Sequence, residues 1–239
     1  MRTIICYGDS NTYGYDPRSF VGDRYSEQER WTGILNEATD DNVLNYGMNG
    51  RCIPHTKNQV QAFLELIHTY SGKLDEGADL INEAVHRNRN ESECAEKPML
   101  EVWIMLGTND LLQNPNMGAK GVAERMKHFL SVLLREEAVQ SKKILIKLLV
   151  PARMKRGSWV ETDDLVAESE RIGEYYEKIA GEFGISCIRT DQVEIPVLFD
   201  GVHFSEEGHR NLAEYLIESM NQRVLKDSFV NRSETLMQN

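Results

Sequence analysis

Four short stretches of this sequence carry residue types that could do chemistry together. Gly8-Asp9-Ser10-Asn11-Thr12 offers a serine hydroxyl, and Asp200-Gly201-Val202-His203 offers a carboxylate three residues before an imidazole. A hydroxyl nucleophile needs a base for its proton, and an imidazole base needs a carboxylate on its other ring nitrogen. A β-turn brings its end Cα atoms within about 7 Å, so Asp200 and His203 can converge, and Gly201 eases the turn. Gly107-Thr108-Asn109-Asp110 offers a side-chain amide, a neutral donor toward a developing oxyanion. Asn45-Tyr46-Gly47-Met48-Asn49-Gly50-Arg51 offers glycines whose backbone N–H can approach a substrate closely. Each stretch also has a bland reading. Asp, Ser, Asn and Thr cap helices, Asn and Asp populate turns, and Ser205 followed by Glu206 and Glu207 reads as a helix start. The first stretch is not a phosphate loop, since no lysine follows, and it is not a G-x-S-x-G nucleophile elbow.

The elements that must position these stretches are legible as alternating runs. Residues 3–7, 42–46, 100–106, 143–150 and 185–188 are short apolar runs, the pattern of strands buried on both faces. Helical patterns lie between and after them, at about 31–40, 56–86, 118–140, 163–183 and 205–224. A β-α-β-α order implies an α/β fold with a parallel sheet and helices on both faces. The candidate stretches fall just after predicted strands, where open parallel sheets place their sites. Residues 1–225 read as one domain, with 75–98 an excursion between strands two and three, helical at first and then a solvated loop. Residues 226–239 read as a polar, frayed tail.

Taken together and in this order, the four stretches resemble the four blocks of the SGNH (GDSL-type) hydrolases. Cys6 to Pro17, Arg30-Trp31-Thr32-Gly33-Ile34-Leu35 and Ile104 to Leu111 resemble the arylesterase/acyltransferase-like branch. The resemblance implies a three-layer α/β/α sandwich with a flavodoxin-like five-stranded parallel sheet, ordered 2-1-3-4-5. It implies Ser10 as nucleophile, His203 as base and Asp200 as its partner, with an oxyanion hole from Ser10, Gly50 and Asn109. The implied reaction moves a short acyl group, such as acetyl, from an aryl, alkyl or sugar ester to water or another alcohol. The connection at 52–100 departs from that branch, so residues 75–98 are expected to govern substrate choice or assembly of a homo-oligomer. Three other readings remain open: a lysophospholipase or thioesterase with a longer acyl pocket, a non-catalytic flavodoxin-like module binding a phosphate or nucleotide after strand one, and an oligomeric scaffold with 75–98 as its interface. The second leaves Asp200 and His203 without a task.

Composition narrows the partners. A net charge of -11 and a pI of about 5.1 argue against nucleic acid or an anionic membrane surface as the main partner; the resemblance implies a small-molecule ester. Cys6, Cys52, Cys94 and Cys187 have neither C-x-x-C spacing nor a histidine cluster, which predicts reduced thiols, with Cys6 and Cys187 in the core. No metal and no cofactor are expected. No leader pattern precedes the first strand and no run reaches membrane-span length, which predicts a cytoplasmic protein. Asp9 and Asp110 read as buttresses bonded to nearby backbone, Trp31 and Trp103 as core, and Arg51 as half of a structural ion pair. His209, on the last helix with no acid at turn spacing, reads as a surface residue.

Overall fold

The computed structural model describes residues 2–19, 21, 23–87, 100–141 and 143–237. Five parallel strands, β1 (Thr3–Gly8), β2 (Asn42–Gly47), β3 (Leu100–Met105), β4 (Ile144–Leu149) and β5 (Ser186–Ile188), pair in the order β2-β1-β3-β4-β5. Eight α-helices accompany them among the described residues: α1 (Ser10–Tyr13), α2 (Trp31–Ala38), α3 (Lys57–Arg87), α4 (Thr108–Gln113), α5 (Gly118–Leu133), α6 (Glu137–Gln140), α7 (Asp163–Phe183) and α8 (Glu206–Met237). This is the α/β/α sandwich and strand order expected from the alternating pattern together with the family resemblance.

The period-two alternation of strand side chains divides the core in two. Ile5, Tyr7, Val102, Ile104, Ile146 and Leu148 point to one face, where Phe63 of α3, Phe129 of α5 and Ile172 and Tyr176 of α7 cover them. Ile4, Cys6, Trp103, Met105 and Leu149 point to the other, under Trp31 and Leu35 of α2 and Leu212, Ala213 and Leu216 of α8. Two charges interrupt this second face, and they satisfy each other. Glu101 accepts from Lys147 at 2.5 Å and from the Trp103 indole N–H at 2.7 Å, so neither strand carries an unpaired buried charge. Helix ends follow local chemistry: the Thr162 hydroxyl accepts from the Leu165 N–H at the start of α7, and Gly184, at φ +65°, closes it.

Two boundaries differ from expectation. The helix expected at 118–140 breaks at 134–136 into α5 and α6. The last helix does not end near 224 but runs to Met237, because no glycine or proline follows Gly208 to stop it. Residues 75–87 of the excursion are the end of α3, while 88–98 lie outside the described residues, as does Cys94. Among the described cysteines all are free thiols; Cys6 is buried, and Cys52 and Cys187 are half-buried.

Candidate active site

The carboxyl end of β1 runs through Asp9 into α1. The Asp9 carboxylate accepts from the Asn11 N–H at 2.9 Å and so caps that turn. Ser10 is the first residue of α1, so its own N–H has no acceptor inside the helix. Its side chain is nearly buried, at 5% exposure, and the hydroxyl Oγ lies 2.9 Å from His203 Nε2. On the far side of the ring, His203 Nδ1 lies 2.7 Å from Asp200 Oδ2.

The loop before α8 fixes that pair. Asp200 Oδ1 accepts from the backbone N–H groups of Val202 and His203, both at 2.9 Å, so the carboxylate has one orientation. Gly201 sits at φ +81°, and a Cβ there would lie 2.0 Å from the Lys155 carbonyl. Only glycine serves, on both conformational and steric grounds. Burial pushes the Asp200 carboxyl up, but its hydrogen bonds from His203 and Val202 outweigh that and hold it below the usual carboxylate range. The buried carboxylate is therefore an anion wherever the imidazole is a useful base.

Gly50 and Asn109 lie on the adjoining strand ends, after β2 and β3. Met48 to Arg51 form a turn closed by the Arg51 N–H on the Met48 carbonyl at 3.2 Å, with Gly50 at φ +72° in its second central position. Asn109 Nδ2 donates one hydrogen to the Arg51 carbonyl at 3.1 Å, which leaves its second N–H for another acceptor. Arg51 does not form the expected ion pair among the described residues. Its guanidinium lies over the Tyr7 ring, 4.0 Å from the centroid, and donates to the carbonyls of Gly8, at 2.8 Å, and Tyr46. Carbonyls at strand ends have run out of ladder partners and need a donor when buried; Arg51 supplies it and so braces the turn that carries Gly50. Asp110 accepts from the Ile53 N–H at 3.0 Å and pairs with Arg125 at 2.6 Å, tying the segment after that turn to α4 and α5. Burial raises both flanking acids, Asp9 to about 6.

Sequence reasoning missed Trp159. Its ring meets the His203 ring edge-on, with centroids 4.9 Å apart, and Tyr15 meets the same imidazole at 4.8 Å. The Trp159 N–H donates to the Asp200 carbonyl at 3.1 Å, and a Cβ on Gly157 would collide with the Asp200 backbone at 2.3 Å, so the loop after β4 lies directly on the acid–base loop. Trp159 is 52% exposed, and Met48, in the turn after β2, and Phe199, next to Asp200, are also exposed apolar side chains. The one available signal was a tryptophan in the polar run Lys155-Arg156-Gly157-Ser158-Trp159, with no strand or helix period to bury it.

His209 is not a surface residue. It is fully buried, on the α8 stripe it shares with Leu212, Ala213 and Leu216, where α8 packs on α2. Its Nδ1 accepts from the Trp31 N–H at 3.4 Å, Tyr25 and Phe204 flank its ring, and burial lowers its pKa to about 3. Among the described residues no three His, Cys, Asp or Glu side chains gather as a metal site, and no helix is long and apolar enough to cross a membrane.

The arrangement joins a hydroxyl, an imidazole and an anionic carboxylate in one line, with N–H donors on neighbouring strand ends. No curated protein matches the chain by sequence. Among solved structures, a Mycobacterium smegmatis aryl esterase superposes with a TM-score of 0.67 at 18% identity, covering 93% of this chain and 99% of that one. A carbohydrate acetylesterase family member from Sinorhizobium meliloti gives 0.66 at 19% identity, covering 93% and 98%. A lipolytic G-D-S-L family protein from Veillonella parvula gives 0.57 at 22% identity, covering 91% and 97%. At these identities the likeness concerns the fold. The model of the GDSL-like lipase/acylhydrolase family matches residues 6–210, from the middle of β1 into α8. The chain is a carboxylic ester hydrolase and belongs to the GDSL-like lipase/acylhydrolase family.

Proposed function

We propose that the chain is a serine esterase that removes a short acyl group, such as acetyl, from an ester through an acyl-enzyme on Ser10. One observation carries the proposal: Ser10 Oγ, the His203 ring and the Asp200 carboxylate form an unbroken hydrogen-bonded line at 2.9 and 2.7 Å. His203 Nε2 takes the Ser10 proton as Oγ forms a bond to the ester carbonyl carbon, and the carbonyl π electrons move to its oxygen. The N–H groups of Ser10 and Gly50 and the Asn109 amide meet that oxyanion. Asp200 stabilises the imidazolium and holds its tautomer. Collapse of the tetrahedral intermediate breaks the bond to the alcohol, which takes the proton from His203. Water, or a second alcohol, then repeats the sequence on the acyl-enzyme.

The short acyl group is supported by the aryl esterase and carbohydrate acetylesterase among the structural neighbours. The exposed apolar rim of Met48, Trp159 and Phe199 favours a second reading, a longer acyl or aryl group lying across it. Turnover of p-nitrophenyl acetate against octanoate and longer esters separates the two, and the proposal expects the acetate to have the higher kcat/KM. Ser10→Ala should abolish both turnover and covalent labelling by an organophosphonate. Undiminished turnover by a folded Ser10→Ala protein would sink the assignment.

A further inference from the structure

We infer that Asn11 is a positioning residue whose side-chain amide clamps the loop carrying His203 onto the turn carrying Ser10. This rests on the triad reading above. Asn11 Nδ2 donates to the Val202 carbonyl at 3.1 Å, and Asn11 Oδ1 accepts from the Phe204 N–H at 3.0 Å. These two partners stand on either side of His203. The amide therefore reads the backbone around the base as a neighbouring strand would, with one donor and one acceptor. Asn11 is itself nearly buried, at 5% exposure, and its N–H is fixed by the Asp9 carboxylate at 2.9 Å. The residue next to the nucleophile thus grips both neighbours of the base.

The remaining bonds of that loop show why the clamp matters. Gly201 and Asp200 give their carbonyls to Lys155 and Trp159, and the His203 carbonyl accepts from Leu198. Those bonds hold the loop to the segment after β4 and to itself, away from Ser10. Tyr25 Oη donates to the Phe204 carbonyl at 3.2 Å and is a weaker second tie from the segment after α1. The family's own name spells Gly-Asp-Ser-Leu, and leucine could make neither bond; Asn11 stands in that place here. The two hydrogen bonds, spanning 191 and 193 residues, set the Oγ to Nε2 separation more firmly than the single serine–histidine bond can.

The test compares wild type, Asn11→Ala and Asn11→Asp for kcat and KM on p-nitrophenyl acetate across pH. Thermal melting is followed at each pH, and the His203 Nε2 nitrogen NMR shift, which moves when the Ser10 hydroxyl donates to it, is recorded. Misplacing reacting groups by 1 Å can cost about 10²-fold, so Asn11→Ala should lose about that in kcat. Its KM should stay within about twofold, since the Ser10 N–H is main chain and the other two donors, Gly50 and Asn109, lie on other loops. A neutral aspartic acid can donate and accept as the amide does, whereas the carboxylate cannot donate to Val202. Asn11→Asp should therefore keep most of its kcat on the acid side and lose it as pH rises, an alkaline limb absent from wild type and Asn11→Ala. A residue that merely supports the fold would lower melting without a new limb at temperatures where the protein is folded. Wild-type kcat in Asn11→Ala, or loss that tracks unfolding, overturns the clamp. A wild type that turns over no ester overturns the esterase reading alone. The clamp is then decided by the His203 shift, which should change in Asn11→Ala and whose constancy would refute it.

Discussion

Replacing Asp200 by asparagine should cost far more than the loss of one charge, because the loop dictates which way the new amide points. Asp200 Oδ1 accepts two backbone N–H groups at 2.9 Å, while Oδ2 faces His203 Nδ1 at 2.7 Å. In Asp200→Asn the amide oxygen must stay on the two N–H groups. Turning the NH₂ toward them would leave two buried donors facing a donor, at about 1–3 kcal/mol each. The NH₂ therefore faces His203 Nδ1, which must become the acceptor. The ring proton moves to Nε2 and points at Ser10 Oγ, so the base is occupied. The expected loss is about 10⁴ in kcat, or about 5 kcal/mol of transition-state stabilisation. The fold should survive, because both backbone bonds remain. Asp200→Ala, which presents no NH₂ to His203, should be at least as active as Asp200→Asn. Initial rates on p-nitrophenyl acetate, corrected for spontaneous hydrolysis, measure both. A kcat for Asp200→Asn within tenfold of wild type would refute the reasoning, since it would require the amide to sit the other way round.

Other outcomes follow from the same geometry. Asn109→Ala removes one of the proposed oxyanion donors and should lower kcat by about 10²–10³ with little change in KM, read from the same assay. Burial raises the Asp9 carboxyl to about 6, so the folded protein holds that proton more tightly than the unfolded chain. Stability from this group is therefore full below about pH 4 and lost as pH rises through about 6, up to about 3 kcal/mol. Asp9→Asn, which keeps the acceptor for the Asn11 N–H, should melt above wild type at pH 8, and the gap should close by pH 4. His209 has the opposite sign. Its pKa is lowered to about 3, so stability is full above about pH 6.5 and is lost as pH falls toward 3, by up to about 5 kcal/mol. The melting temperature of His209→Gln should fall less steeply with acid than that of wild type; parallel curves would show that the buried imidazole is not the cause.

The sheet was legible because its strands are covered on both faces, which turns them into apolar runs bounded by glycine or proline. Even Glu101 and Lys147 did not hide β3 and β4, since each is the other's partner across the pair. Gly50, Asn109 and Asp200 to His203 could be singled out only together, because four weak strand-end stretches in this order resemble the family's four blocks. What stayed hidden depends on contacts far apart in the chain. Trp159 is adjacent to His203 only because Gly157 lets two loops touch, and that packing has no local pattern. Arg51 was misread because strand-end carbonyls, unlike acids, cannot be seen as partners in a sequence. His209 was misread because its partner is the Trp31 N–H, 178 residues away, rather than a side chain at turn spacing.

The serine and its base are separated by 193 residues of chain. At about 5–20 residues per second, a ribosome makes Ser10 roughly 10–40 s before it makes His203. Throughout that interval the growing chain carries an ordinary alcohol, with no imidazole to take its proton. A product truncated just after β5 holds all five strands and nearly all of the core under α3, α5 and α7, but it lacks α8, which covers the other face, and has neither Asp200 nor His203. With the proposed triad, ester turnover therefore counts finished molecules. In a preparation containing prematurely terminated chains, the ratio of activity to folded protein should measure how many were completed.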